Sequence, residues 1–217
     1  MIRLPLLCLL AAAAFAQETL TYSINWSSGL SLGEATLKGG RSAGGWDFAL
    51  LLEASVPGFA VKDSFKSAAT GKFCSVNFER ELQHGARKSS EKSSFKNGIL
   101  KRQTDKGGSS EIKIDECARD ALAFLFFLRS ELQHGRLPGK QAIYFGSAYQ
   151  LKLQFLGTQP ITIGDTRVET DKFSAMLKGP ASESSFEIFV EKDELRTPVL
   201  VRVPLSVGVL SMELVRQ

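Results

Sequence analysis

The sequence predicts a mainly β fold, an antiparallel barrel or half-barrel that stays open, with one principal helix packed across it. Three observations predict it. Apolar residues recur at every second position through most of the chain, the period of a strand with one buried and one wet face. Short Gly-, Asn- and Asp-containing turns punctuate these runs. Only one segment departs from the two-residue period. A parallel α/β sheet is excluded, because it needs a helical crossover between successive strands and the connections here are too short.

The elements follow in order. Residues 20–26, 30–38 and 46–56 are the first strand candidates. Further on, Tyr149, Leu151, Leu153 and Phe155 alternate with Gln150, Lys152 and Gln154. Phe186, Ile188 and Val190 repeat the pattern, then Val199, Val201 and Val203, then Leu210, Met212 and Leu214. Turns are expected at Ser27-Ser28-Gly29, Lys38-Gly39-Gly40, Asn97-Gly98, Lys106-Gly107-Gly108, Gly164-Asp165 and Lys178-Gly179-Pro180. Asn97-Gly98 is the strongest hairpin signal, since a type I′ turn needs positive φ at both central residues.

From about residue 119 to 133 the chain lacks Gly and Pro and is rich in helix formers. Ala121, Phe124, Leu125, Leu128 and Leu132 form one stripe, Gly135 supplies a stop and Pro138 blocks continuation. Residues 121–128 are apolar almost all round, so this helix packs on the sheet with one side and on a loop or a ligand with the other. The ordinary reading is core. Phe124, Leu125, Phe127 and Leu128 are the candidate contacts for an apolar ligand.

The first sixteen residues, MIRLPLLCLLAAAAFA, read as a secretory signal: one basic residue, an apolar run, and a small-x-small ending at Ala14-Phe15-Ala16. The run is too short to span a bilayer, which takes about 20 apolar residues, and bulky Leu7 before Cys8 argues against lipid attachment. Residues 17–217 are then a single β-rich domain with no transmembrane segment, exported to the periplasm or beyond the cell. Lys and Arg number 27 against 23 Asp and Glu, a formal net charge of +4. That excess is too small to imply nucleic acid. Seven basic residues between His84 and Lys106 face only Glu91 and Asp105, and a solvated hairpin accounts for them.

Export also reinterprets the cysteines. Cys74 and Cys117 are the pair outside the leader, and they lie in no CxxC motif and beside no histidine at metal-ligand spacing. In an oxidising compartment they are expected to form a disulfide.

No pattern calls for catalysis. There is no GxSxG elbow and no Walker loop, and the pairs Glu53 with Asp63 and Asp115 with Glu116 sit in strand or turn contexts without a sign of burial. The pentapeptide ELQHG occurs twice, at 81–85 and 131–135, and holds both histidines, His84 and His134. One copy ends the helix and the other joins two strands, so a shared use of Gly at a chain reversal explains the repeat better than a paired metal site. No catalytic residue, metal or cofactor is assigned.

Residues 22–35, YSINWSSGLSLGEA, with Val61-Lys62-Asp63-Ser64-Phe65, Asp120-Ala121-Leu122 and Leu128-Arg129, resemble the bacterial domain of unknown function 3108 family. The resemblance runs over most of the chain beyond the leader, including residues 153–157 and 198–215. It implies an exported envelope protein with a β-rich, open-barrel fold, and a likeness to lipoprotein-carrier folds that hold acyl chains against a helix. The cysteine pair is not part of that implication. The expected function is non-enzymatic binding of a lipid or another apolar or amphipathic envelope molecule. The alternative is a structural or protein-interaction module whose barrel is filled by side chains, and an enzyme with an unfamiliar site stands third.

Overall fold

The computed structural model describes residues 17–56, 58–180, 182–206 and 208–216; the expected leader, residues 1–16, lies outside them. The first wing of the sheet comprises β1 (Glu18–Trp26), β2 (Ser31–Ser42), β3 (Gly45–Val56), β4 (Phe59–Ala69), β5 (Ser75–His84), β6 (Arg87–Lys96), β7 (Ile99–Thr104) and β8 (Ser109–Lys113). A two-residue strand β9 (Arg119–Asp120) leads into the helix α1 (Ala121–Gln133). The second wing comprises β10 (Gln141–Tyr144), β11 (Ala148–Ile163), β12 (Thr166–Lys178), β13 (Glu183–Glu191), β14 (Pro198–Leu205) and β15 (Gly208–Leu214).

All these strands belong to one sheet, in the order β8-β7-β6-β5-β4-β3-β2-β1-β15-β14-β13-β12-β11-β10-β9. Two antiparallel meanders fan out from a central seam in which β1 pairs with β15, Tyr22 opposite Leu214 and Trp26 opposite Leu210. Only β9 and β10 run parallel among the described pairings. The sheet curls until β9 approaches β5, where Ser75 N–H donates to Ala118 O at 2.9 Å, but no ladder closes it. Strands β6 to β8 run past this point and overlap β10, so that Leu100, Ala118 and Tyr144 form a small core of their own.

The disulfide between Cys74 and Cys117 fastens the same meeting point, with Cα atoms 4.7 Å apart, inside the range an unforced bridge needs. The expected helix forms, starting at Ala121 because Asp120 caps it. One Asp120 oxygen accepts from Leu122 N–H (2.9 Å) and Ala123 N–H (3.0 Å). The other accepts from the hydroxyls of Ser67 on β4 and Ser75 on β5, each at 2.6 Å. Toward the other end, Arg129 makes a two-pronged ion pair with Glu18 of β1 at 2.6 and 2.7 Å. Its Nε donates to the carbonyls of Leu195 and Arg196 in the loop between β13 and β14. The helix is therefore tied to both wings by polar anchors at its two ends.

Two sequence expectations need correction. Lys38-Gly39-Gly40 is not a turn but the interior of β2, and the reversal comes at Ala43 and Gly44. The glycine is needed for another reason: a Cβ on Gly39 would lie 2.4 Å from Cζ of Phe126, whose ring stacks on Phe48 at 4.1 Å between centroids. Backbone there is pared away to admit a helix side chain. The basic hairpin is also not wholly solvated. Lys92 and Lys101 pair with Glu79 and Glu111 at the surface, but Glu91 is only 3% exposed and points inward. Asn97 and Gly98 do form the tight turn, with φ of 53° and 70°.

Candidate functional site

Beneath α1 the two wings leave a cavity of about 480 Å³, within the range of small-molecule sites. The helix contributes Ala121, Leu122, Phe124, Leu125 and Leu128. The first wing supplies Tyr22, Leu37 and Leu50, and the second Leu151, Leu153, Ala175, Ile188 and Val201 among others. The strand alternation read from the sequence explains this directly, since one face of β11, β12 and β13 is apolar and turned inward. Exposure rises along those strands toward the turns at 145–147 and 179–182: Ile188 is buried, Phe186 half-buried and Ser184 exposed. That end is the mouth, with Ser182, Ser184 and Tyr149 on its rim.

The deep part offers almost no polar function. Tyr22 is the exception, and its hydroxyl donates to Pro198 O at 2.8 Å. Burial pushes its phenol well above the usual tyrosine range, so the ring stays neutral and its single donor is already used.

Of the four helix residues singled out as ligand contacts, Phe124, Leu125 and Leu128 line the cavity and Phe127 does not. Phe127 turns to the opposite side of α1, where the guanidinium of Arg119 sits 3.7 Å from its ring centroid. The stripe 121, 124, 125 and 128 at helical spacing faces the cavity, Leu122 joins it from one flank, and Phe127 lies on the other flank.

A second recess of about 290 Å³ lies on the far side of the β10–β11 turn. Its walls include Phe78, Phe95, Leu100 and Tyr144, together with Glu91 and Arg102. Glu91 is held between two guanidiniums: Arg80 Nη2 donates to its Oε2 at 2.9 Å, and Arg102 Nε pairs with the same oxygen by charge at 2.6 Å without hydrogen-bond geometry. This cluster has little sequence signal, because the inward positions of β6 are Glu91, Ser93 and Phe95 and show no apolar alternation. Asp120 was the more legible omission, since an Asp immediately ahead of an apolar helical run is a capping signal.

The two copies of ELQHG have different conformations. Residues 81–84 lie in β5, with His84 Nε2 3.0 Å from Asp63 Oδ1, while 131–133 end α1 and His134 Nδ1 contacts Ser130 O at 2.7 Å. Each copy closes on a Gly in a chain reversal. Among the described residues no hydroxyl or thiol is hydrogen-bonded to either imidazole, and no group of three or more His, Cys, Asp or Glu is placed to hold a metal ion. No described helix is long and apolar enough to cross a membrane.

No curated protein matches the sequence. In architecture the chain is similar to the crystal structure of a β-barrel-like protein of the domain of unknown function DUF1849 from Brucella abortus. The TM-score is 0.66 at 7% identity, over 91% of this chain and 95% of that one. The likeness is one of fold. The model of a family described as protein of unknown function (DUF3108) matches residues 21–215, and with that span, nearly the whole of both wings and the helix between them, the chain belongs to the DUF3108 family.

Proposed function

We propose that this protein is a non-enzymatic binder that takes the aliphatic part of an apolar or amphipathic envelope molecule into the cavity beneath α1, outside the cytoplasm. The observation that carries the reading is the cavity itself: about 480 Å³ of unfilled space with apolar walls and its one deep hydroxyl already used. At about 30 Å³ per methylene-sized group, it has room for on the order of fifteen such groups, enough for one chain and not two. Burying them contributes about 12 kcal/mol at about 0.8 kcal/mol per methylene. An association cost of at least about 4 kcal/mol leaves at most about 8 kcal/mol, a Kd no tighter than about micromolar. The anchors at Asp120 and Arg129 support a preformed site, which keeps the cost of ordering low. Export is supported by the composition of residues 1–16 and by the disulfide, which persists in oxidising compartments.

A module filled by side chains, the alternative raised by the sequence, is less well supported because the space is not filled. An interaction role has one feature in its favour. Every residue of the edge strand β8 is exposed, and such an edge accepts an added strand.

The test is native mass spectrometry and solvent extraction of protein purified from its own host, beside an Ala175→Leu variant. Ala175 is fully buried against the cavity, so the larger side chain occupies the space. The expected result is a co-purifying aliphatic molecule that the variant loses. Host-purified protein that carries nothing and binds no long-chain fluorescent polyene would sink the reading.

A further inference from the structure

The two recesses share a rim. Phe145 lines the apolar cavity while Gly146, Ser147 and Ala148 line the smaller one. On the neighbouring turn Pro180 faces the smaller recess and Ser182 the larger. Arg80 lies at this divide. Its guanidinium centre is 5.9 Å from the centroid of the Phe145 ring, and it rests so closely on Gly146 that a Cβ there would meet Nη2 at 2.5 Å. The charge beside it does not balance: Arg80 and Arg102 share the single carboxylate of Glu91. Glu91 and Arg102 line the recess and Arg80 reaches its edge over Gly146, so within the cluster the two guanidiniums outnumber their shared carboxylate by one, in a concave, partly apolar setting where an opposite charge is attracted far more strongly than in open water. Ser110 and Ser147 line the same walls and carry neutral donors, while the Ser93 hydroxyl is already given to Glu91.

We infer that the occupant is a single-chain anionic amphiphile, its chain beneath α1 and its carboxylate or phosphate head group over the 145–147 turn against Arg80 and Arg102. The inference rests on the proposed binding role and adds the head-group chemistry to it. Guanidinium suits both anions, because its planar fork matches carboxylate and phosphate oxygens alike.

The experiment is calorimetric titration of the full chain with four probes of one chain length: dodecanoate, dodecyl phosphate, dodecanol and dodecyltrimethylammonium. Wild type is expected to bind both anions at least about tenfold more tightly than the alcohol, the worth of one charged hydrogen bond, and the cation most weakly. Whichever anion binds more tightly identifies the head group. Arg80→Gln should weaken the anions about tenfold and leave dodecanol unchanged, Arg80→Lys should restore most of the loss, and Glu91→Gln should tighten the anions. A merely structural cluster would move all four probes together. If Arg80→Gln does not fold, anion binding by wild type that is insensitive to salt overturns the inference, since a partly exposed charge pair is screened. Equal binding of all four probes overturns the head-group inference and leaves the cavity reading intact; no binding of any probe overturns both.

Discussion

Replacing Asp120 tests the claim that α1 is held in place by a buried carboxylate. Asp120 is fully buried and accepts four hydrogen bonds, two from helix N–H groups and two from serine hydroxyls on β4 and β5. Asp120→Ala removes both acceptor oxygens and with them all four hydrogen bonds. Loss of a helix cap costs about 1 kcal/mol, and each buried donor left without a partner costs about 1–3 kcal/mol. The serine hydroxyls can rotate to other acceptors, so the expected loss is about 3–5 kcal/mol. Asp120→Asn keeps an oxygen for the two N–H groups and offers its own NH₂ to the serine oxygens, and should cost less than half as much. The pH dependence separates the two effects. Burial raises the Asp120 carboxyl above the usual carboxylate range, against the pull of its four hydrogen bonds. A raised acid binds its proton more tightly folded than unfolded, so its contribution is neutral below the unfolded value near 3.8 and becomes destabilising as pH rises through the folded value. Asp120→Asn should abolish that part of the slope. Urea unfolding followed by far-ultraviolet circular dichroism between pH 3 and 7 measures all of this. A loss below about 1 kcal/mol for Asp120→Ala, or an Asn variant as unstable as the Ala one, would refute the reasoning.

Other predictions follow from the same framework. Opening the disulfide by Cys74→Ser with Cys117→Ser releases a loop closed across a sequence separation of 43 and should lower stability by about 4 kcal/mol in the chain-entropy model. Hydrogen exchange should show β6 to β8 losing protection first, and an unchanged urea midpoint would contradict this. Arg129→Met leaves Glu18 and two loop carbonyls without their partner. The expected cost is about 2–3 kcal/mol, less than for a fully buried pair because Glu18 keeps some access to water, and Glu18→Gln should cost less than Arg129→Met in the same unfolding assay. Gly39→Val places atoms where the Phe126 ring stands, and the loss of the Phe126–Phe48 stack should show in near-ultraviolet circular dichroism with the far-ultraviolet signal retained. Phe127→Leu should leave ligand occupancy unchanged in native mass spectra, whereas Leu128→Ala should alter it.

Most of the architecture was legible because it depends on period and punctuation. Tyr149 to Phe155 alternates strictly, and β11 turns Tyr149, Leu151 and Leu153 inward as the pattern requires, whereas Phe155, at the bulge before Gly157, is left exposed. The helix stripe marked Phe124, Leu125 and Leu128 for the same reason. What the sequence concealed depends on contacts between distant segments. Gly39 reads as a turn residue until Phe126, far along the chain, is seen resting on it. Glu91 reads as one charge on a basic hairpin until strand register sets Arg80 opposite it and Arg102 on the next strand, and the curl of the sheet lays the 145–147 turn over them. The glycine contact and the covering turn have no local signature, since each is a property of how far the sheet curls.

The central seam also sets the order in which this molecule assembles. Ser23 lies opposite Glu213, 190 positions away along the chain, whereas the hairpins within each wing close over about ten residues. The added loop-closure entropy is roughly 2.6 kcal/mol, and folding rates fall as contacts become more distant in sequence. Each meander therefore zips independently, and the joining of β1 to β15 comes late. Because Leu37 and Leu50 come from one meander and Ile188 and Val201 from the other, the chamber has no existence in either half alone. A chain interrupted before β15 would carry two sticky half-walls in place of one enclosed chamber.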